Sequence, residues 1–159
     1  MATRCGSTLP PRVMALLSDD ARQQPRGQCL ILTTVDADGQ PRSCLLSAAE
    51  LLVVDRQRLR AVVWPDSATA ANMGRGSPVL LLIAAPPDVF HIRAEPRRLP
   101  SAPASSLARF ELLITAVEVD VHAGMPVISV MRFAARPQLS DHILRTWREQ
   151  HAALVYEPT

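Results

Sequence analysis

The sequence predicts a mainly β, α+β domain: an antiparallel barrel-like sheet, closed or split, with short peripheral helices. Apolar residues make up 48% of the 159 residues, enough for the core of one domain. Short β-rich segments follow one another with turn signals between them, and helical periodicity is confined to a few short stretches. Strands in succession joined by tight turns pair antiparallel, so about seven strands with this little helix favour a barrel.

The first predicted elements are a helix and a β-hairpin. Two prolines open a short amphipathic helix over Pro10–Gln24. Two β-rich runs then flank the strong turn signal Asp36-Ala37-Asp38-Gly39, which predicts a hairpin over Cys29–Ser47. The remaining predicted strands are Glu50–Val54, Leu59–Trp64, Pro78–Ala85, Val89–Leu99, Ile114–Val121 and Val127–Phe133. Because Pro78–Ala85 is almost entirely apolar, we expect it to be buried on both faces.

Three further helical segments are predicted. Ser67–Met73 is a short helix with Asp66 or Ser67 as its N-cap. A helical turn is expected around Leu107–Glu111. Ser140–His151 is a helix with Ser140 as N-cap and an acidic residue in its first turn. As a single domain, the chain divides into an N-terminal tail and helix (1–26), a barrel (27–135) and a C-terminal helix and tail (136–159).

Charge and cysteine content exclude several classes of protein. Seventeen basic residues, all arginine, oppose fifteen acidic ones, and the arginines are scattered along the sequence, which argues against nucleic-acid binding. The three cysteines are an odd number without CxxC spacing, so neither a disulfide framework nor a zinc site is predicted. The N-terminus lacks the apolar run of a signal peptide, and no apolar stretch is long enough to span a bilayer. We therefore expect a cytoplasmic protein.

Two short strings carry a resemblance to a known family. Pro41-Arg42-Ser43-Cys44-Leu45-Leu46 follows the hairpin turn, and Trp64-Pro65-Asp66-Ser67-Ala68-Thr69-Ala70-Ala71-Asn72 precedes a buried strand. With the order of elements from Pro10 to Phe133, these strings resemble the pyridoxamine 5'-phosphate oxidase-like proteins. The resemblance implies an antiparallel split β-barrel, a homodimer and FMN bound at the dimer cleft. Apolar strands and a leucine-rich hairpin independently favour self-association.

The resemblance carries over to individual residues unevenly. Arg42 matches the arginine that opens the family's Arg-x-Val-Leu-Leu-Lys string, while Ser47 replaces its lysine. Ser67-Ala68-Thr69 stands where the family's oxidase has Ser-Arg-Lys, so both cations are lost there. Val89 takes the place of a flavin-contacting glutamine, and no match to the substrate-binding arginine and histidine follows Phe133. Arg42, or Arg75 beyond the helix, supplies the missing positive charge for a phosphate.

The resulting candidate site is a cofactor-binding site with no assigned catalytic or metal-binding residue. Its residues are Arg42, Ser43, Cys44, Trp64, Ser67, Thr69 and Asn72. Several also have a structural interpretation: a solvent-facing strand residue for Arg42, the capped start of a helix for Ser67 and Thr69, the end of that helix for Asn72, and core or interface packing for Trp64. The pKa of the Cys44 thiol would be lowered beside Arg42, although a buried structural cysteine is commoner.

Two functions from different classes follow. The first is an FMN-dependent oxidoreductase acting on a small molecule, in which the flavin carries the redox chemistry and the protein orients it. The alternative is a non-enzymatic binding module on the same fold, holding haem, another cofactor or none. The lost phosphate cations favour the second function, and the retained Arg42 and Ser67 favour the first.

Overall fold

The structure, a computed structural model, describes residues 2–18 and 27–158. These residues form eight strands: β1 (Ala2–Gly6), β2 (Cys29–Val35), β3 (Pro41–Ser47), β4 (Leu51–Val53), β5 (Arg58–Val63), β6 (Val79–Ala85), β7 (Asp88–Leu99) and β8 (Ala108–Asp120). The same described ranges contain three α-helices: α1 (Pro11–Leu16), α2 (Ala68–Gly74) and α3 (Ser140–Val155). Short 3-10 helices precede β4 and α3. The predicted split-barrel α+β fold is confirmed.

The strands form one curled antiparallel sheet in the order β3-β2-β6-β7-β8-β5-β4. Strand β8 pairs with β7 along one edge, while its other edge pairs with β5 through its first half and with β1 through its last residues. In the β2–β3 hairpin, Thr34 lies opposite Arg42 and Leu32 opposite Cys44. This register sets the candidate site, because α2 packs against both strands of the hairpin and against β7.

The core lies on the concave side of this sheet. Alternate residues of the strands are fully buried there, among them Leu30, Leu32, Leu81, Ile83, Ile92, Phe110 and Leu112. Each such side chain contributes roughly 1.5–3 kcal/mol by leaving water. Helix α1 adds Val13 to the core, and Arg12 anchors this helix to the β6–β7 turn by donating to Asp88 Oδ2 at 2.6 Å and to the carbonyl of Pro86.

Most predicted elements are confirmed within a few residues. The hairpin spans Cys29–Ser47, and α2 begins directly after Ser67, whose Oγ accepts from the amide of Ala70. Helix α1 ends at Leu16, and the predicted extension over 19–24 lies outside the described residues. Helix α3 starts at Ser140, but the N-cap is Leu139 rather than Ser140, because a 3-10 helix runs directly into its first turn. Strand β1 is not predicted by the sequence.

Three predictions are wrong, each for a physical reason. Leu107–Glu111 is not a helical turn but leads into β8, where pairing with both β5 and β7 outweighs local preference. Val127–Phe133 is not a strand: it makes an isolated bridge from Arg132 to Gln28, and Ile128 is 87% exposed. Strand β6 is not buried on both faces, since buried and half-buried residues alternate along it.

Among the described residues, no helix has the length and apolar character needed to cross a bilayer. The cysteines among the described residues are free thiols, with Cys5 exposed, Cys44 half-buried and Cys29 buried.

Candidate functional site

Arg42 and Asn72 are joined through Asp36, the residue that ends the first arm of the hairpin. Arg42 Nε donates to both carboxylate oxygens of Asp36, at 2.9 and 2.8 Å. The turn that follows, with Gly39 at a φ of 84°, reverses the backbone. Arg42 therefore contacts Asp36, although the two residues are six positions apart in the chain. Asn72 Nδ2 donates to the same carboxylate at 2.7 Å from the helix side.

Asn72 is the centre of this network. It is 2% exposed, and its amide also donates to Thr34 Oγ1 at 2.9 Å. Its Oδ1 accepts from Arg75 at 2.6 Å. The side chain therefore links β2, the hairpin turn and the end of α2, and it holds Arg75 on the same polar network as Arg42. We name the set Asp36, Arg42, Asn72 and Arg75 the hairpin cluster.

The hairpin cluster carries a surplus of one positive charge, since it contains the two cations Arg42 and Arg75 and one carboxylate, Asp36, which pairs with Arg42. Hydrogen bonds from Asn72 and then Arg42 hold the pKa of Asp36 below its usual value, and the nearby charge of Arg75 acts in the same direction. Asp36 is therefore an anion at neutral pH. Arg42 remains about half exposed, with 53% of its side-chain surface open to solvent.

Cys44 and Thr69 form a second contact between the hairpin and α2. The Thr69 hydroxyl hydrogen-bonds to the Cys44 thiol, which favours the thiolate, but burial raises the pKa of Cys44, and the charge of Glu50 raises it further. Glu50 is itself held by the amide and hydroxyl of Ser47 at 2.7 and 3.0 Å. The thiol is therefore not activated. Of the two interpretations of Cys44, the half-buried structural cysteine therefore agrees with the structure better than an activated thiol.

Ser43 and Ser67 lie apart from these two contacts. The Ser43 hydroxyl is 2.8 Å from that of Thr33 on the neighbouring strand. Ser67 caps α2 by accepting from Ala70 at 3.1 Å, and its own hydroxyl donates to the carbonyl of Trp64 at 2.7 Å. Its oxygen thus takes part in two hydrogen bonds within the protein.

Trp64 faces a different cavity. Its side chain is 59% exposed and lines a cleft of about 420 Å³ between the 102–107 loop and α3. Of the described residues, none of the other six predicted for the cofactor site lines this cleft. The structure thus brings Arg42 close to Asn72 and Cys44 close to Thr69, and it places Ser43, Ser67 and Trp64 elsewhere.

Sequence reasoning missed Asp36 and Thr34 as members of the site. Asp36 was assigned to the turn, and Thr34 to the strand. A signal was present, since an acidic residue at the start of a tight turn and an arginine early in the second strand lie close together at the same end of the hairpin.

Comparison with known proteins supports the fold. No family model matches the chain. The uncharacterized protein YclD of Bacillus subtilis is 23% identical over 140 residues, covering 87% of this chain and 90% of YclD. A provisionally assigned pyridoxamine 5'-phosphate oxidase from Lactobacillus delbrueckii superposes with a TM-score of 0.57 at 18% identity, over 72% of this chain and 97% of that protein.

Two further solved structures share the architecture. HupZ of Group A Streptococcus has a TM-score of 0.53 at 13% identity, over 69% of this chain and 92% of HupZ. An FAD- and haem-binding protein from Mycobacterium smegmatis has a TM-score of 0.53 at 12% identity, over 82% of this chain and 86% of that protein. The chain has the split-barrel fold of pyridoxamine 5'-phosphate oxidase-like proteins, and the resemblance read from the sequence is confirmed for the fold.

Proposed function

We propose that the protein binds FMN with its phosphate at the hairpin cluster. The observation that carries the proposal is the convergence of two guanidiniums on one polar network: Arg42 on Asp36, and Arg75 on Asn72. A phosphate monoester carries close to two negative charges, and arginine is the side chain best suited to hold it.

The fit of the residues to a flavin phosphate can be judged from this geometry. The cations that the family's oxidase has in its Ser-Arg-Lys string are absent here, but Arg75 at the other end of α2 supplies one. Because a seven-residue helix is roughly 10 Å long, a phosphate held by Arg42 and Arg75 lies near the end of α2 rather than at Ser67. The donor set therefore fits a phosphate, at a position shifted along the helix.

Burial divides the predicted residues by role. Arg42 and Ser43 are exposed and can contact a cofactor. Thr69 and Asn72 are 5% and 2% exposed, so we assign them to positioning the hairpin and Arg75. Cys44 and Ser67 are half-buried, so the exposed part of each can contact the flavin. Trp64 lines its own cleft, and the proposal does not require it.

The proposed assembly is a homodimer, with the flavin in the cleft between subunits. Exposed apolar side chains support it: Leu45 on β3 is 56% exposed, and Ile128 in the segment after β8 is 87% exposed. In water these surfaces favour association. When bound, the flavin would supply hydride or electron transfer to a small-molecule substrate in the cytoplasm, and the chain's own residues bind and orient it.

The second candidate is a non-enzymatic cofactor-binding module. It is favoured by the absence of the family's Ser-Arg-Lys cations at the start of α2, where this chain has Ser67-Ala68-Thr69. The protein of the same fold from Mycobacterium smegmatis binds FAD and haem. An absorption spectrum of the purified protein separates the two, since a flavin and a haem have different bands.

The direct test is a titration with FMN followed by fluorescence quenching. Losing one charge-assisted contact costs about 1.5–3 kcal/mol. We therefore expect Arg42→Ala and Arg75→Ala each to weaken binding roughly ten- to a hundredfold. Arg93→Ala is the matched control, because this exposed arginine lies on β7 beside Glu118, at 3.6 Å.

Two results would contradict the proposal. Wild-type protein that does not bind FMN would remove the flavin assignment, and a Soret band would favour the haem-binding module. Equal affinities for wild type, Arg42→Ala and Arg75→Ala would move the phosphate away from the hairpin cluster.

A further inference from the structure

The outer face of strands β5, β8 and β7 carries a grid of charged residues. In the register of the sheet, Glu111 of β8 lies between Arg60 of β5 and Arg97 of β7. Arg109 of β8 lies one pair further along the same face, opposite Val62. Since neighbouring residues of a strand point to opposite sides, these side chains face away from the core residues Phe110 and Leu112.

A cavity of about 470 Å³ lies between this face and the C-terminal residues. The basic residues that line it are Arg58, Arg60, Arg97, Arg98 and Arg109. Arg98 contributes no charge to it, because its guanidinium lies on the opposite face of the sheet, over the Phe110 ring. The described acidic residues in the lining are Glu111 and Glu157, which leaves a surplus of two positive charges. We name this cavity the arginine pocket.

Two of these arginines are buried. Arg60 is 8% exposed and Arg109 is 2% exposed, and the Nε atom of each is buried without a hydrogen-bond partner among the described residues. A buried donor left without an acceptor costs about 1–3 kcal/mol, and more when the group is charged. Native structures keep such groups rarely, and a missing ligand is one of the explanations.

The remaining contacts of Arg109 are to neutral groups and do not balance its charge. Arg109 donates to the carbonyls of Pro100 at 2.6 Å and Tyr156 at 2.5 Å, and its cation lies 5.1 Å from the centre of the Tyr156 ring. Within the described part of the chain, no carboxylate oxygen lies in salt-bridge range of it. Burial, and then the charge of Arg60, lower the pKa of Arg109, so an anion between these guanidiniums would be stabilised.

The mouth of the pocket is more exposed. Arg97 donates to Glu111 Oε1 at 2.6 Å with 71% of its side chain in solvent, and Arg58 lies 3.7 Å from Glu111 Oε2. Arg60 pairs with Glu157, a residue after α3 whose side chain is 70% exposed. The Glu157 carboxylate therefore already contacts the buried guanidinium of Arg60.

We propose that the arginine pocket binds a small oxyanion with at least two negative charges, a phosphate ester or a polycarboxylate. Arg60 and Arg109 would hold it at the base, and Arg58 and Arg97 at the mouth. The volume suits one small molecule rather than a polymer. The Glu157 carboxylate competes with the ligand for Arg60. The site shares no residue with the hairpin cluster, so it does not depend on the flavin proposal.

Calorimetric titration of the full chain at constant ionic strength tests the proposal, with sodium pyrophosphate as one probe and trisodium citrate as the other. Binding of either is expected, and the tighter probe identifies the phosphate or the carboxylate class. Arg97→Gln, an exposed change that leaves the core intact, is expected to weaken binding about tenfold. Arg109→Met should abolish binding, with its fold checked by circular dichroism.

Changes of the acidic residues give an effect of opposite sign. Glu157→Gln removes the competing carboxylate and should strengthen binding several-fold. Glu118→Gln and Arg93→Gln, a β8 and β7 pair outside the pocket, should leave it unchanged. The proposal is overturned if wild type binds neither probe at millimolar concentration, or if Arg97→Gln and Arg93→Gln bind alike.

Discussion

The hairpin cluster and the arginine pocket use the same residue type in contrasting ways. In the hairpin cluster, Arg42 donates to a carboxylate, and the buried amide of Asn72 has partners for both its oxygen and its nitrogen. In the arginine pocket, two buried guanidiniums keep an unpaired Nε. A buried polar group whose hydrogen bonds are complete contributes to folding by itself, whereas a buried donor without an acceptor costs stability until a ligand supplies one. The amide of Asn72 is of the first kind and the Nε atoms of Arg60 and Arg109 are of the second, while the half-exposed Arg42 remains accessible to a ligand.

The largest expected effect is a loss of stability when a residue of the hairpin cluster is changed. Asn72→Ala removes side-chain hydrogen bonds to Thr34, Asp36 and Arg75 and leaves the fully buried Thr34 hydroxyl without that donor. We expect the free energy of unfolding to fall by about 2–3 kcal/mol. Urea denaturation measures it, with Gln40→Ala, an exposed amide in the hairpin turn, as control. A loss no larger than that of the control would mean that the cluster does not stabilise the fold.

A smaller effect is expected in the arginine pocket. Glu111→Gln withdraws the carboxylate from Arg97 and Arg58, both of which can be hydrated, so the expected loss of unfolding free energy is about 1–2 kcal/mol. Thermal unfolding with sodium pyrophosphate distinguishes the two clusters. The anion should restore most of the loss in Glu111→Gln and a smaller share of the loss in Asn72→Ala, because an anion at the exposed Arg42 and Arg75 does not replace the buried hydrogen bonds of Asn72. Equal restoration in both variants, or none in either, would remove the distinction drawn above.

The smallest effect is a dependence on pH. The pKa of Asp36 is lowered in the folded protein, so the unfolded chain, with an ordinary value of about 3.9, binds the proton first as the pH falls. The stability that Asp36 contributes is therefore present above the unfolded pKa and is lost as the pH falls through the folded one. Unfolding free energies at pH 6 and pH 3 should differ more for wild type than for Asp36→Asn. Parallel pH profiles would show that the carboxylate makes no net contribution.

The sequence predicts the fold well where a pattern is local. The hairpin can be predicted because Asp36-Ala37-Asp38-Gly39 determines its own turn, and α2 can be predicted because Ser67 can cap it. The start of β8 cannot be predicted in this way. Residues 108–112 are buried on both faces, since Arg109 contacts Tyr156 near the C-terminus and Glu111 pairs with Arg97, and this removes the alternation that marks a half-buried strand.

The sites follow the same rule. Arg42 and Asn72 are predicted because they lie in short strings that resemble a family. The carboxylate between them, Asp36, is predicted only as a turn residue. Arg60, Arg97 and Arg109 are far apart in the sequence and read as scattered charge. Only the pairing of β5, β8 and β7 brings them onto one face. A charge pattern made by strand register cannot be seen before the register is known.

Strand β8, with its three partners, also has a consequence for the order of folding. The hairpins β2–β3 and β6–β7, and the pairing of β7 with β8, join neighbours in the chain and can close over short loops. Strand β1 pairs with β8 across more than a hundred residues, and β5 reaches β8 only after β6 and β7 have been made. During synthesis on a ribosome, β1 therefore cannot pair until β8 has been made. The closure of long loops is slow, so we expect the pairing of β1 with β8 to be among the last contacts of the sheet to form.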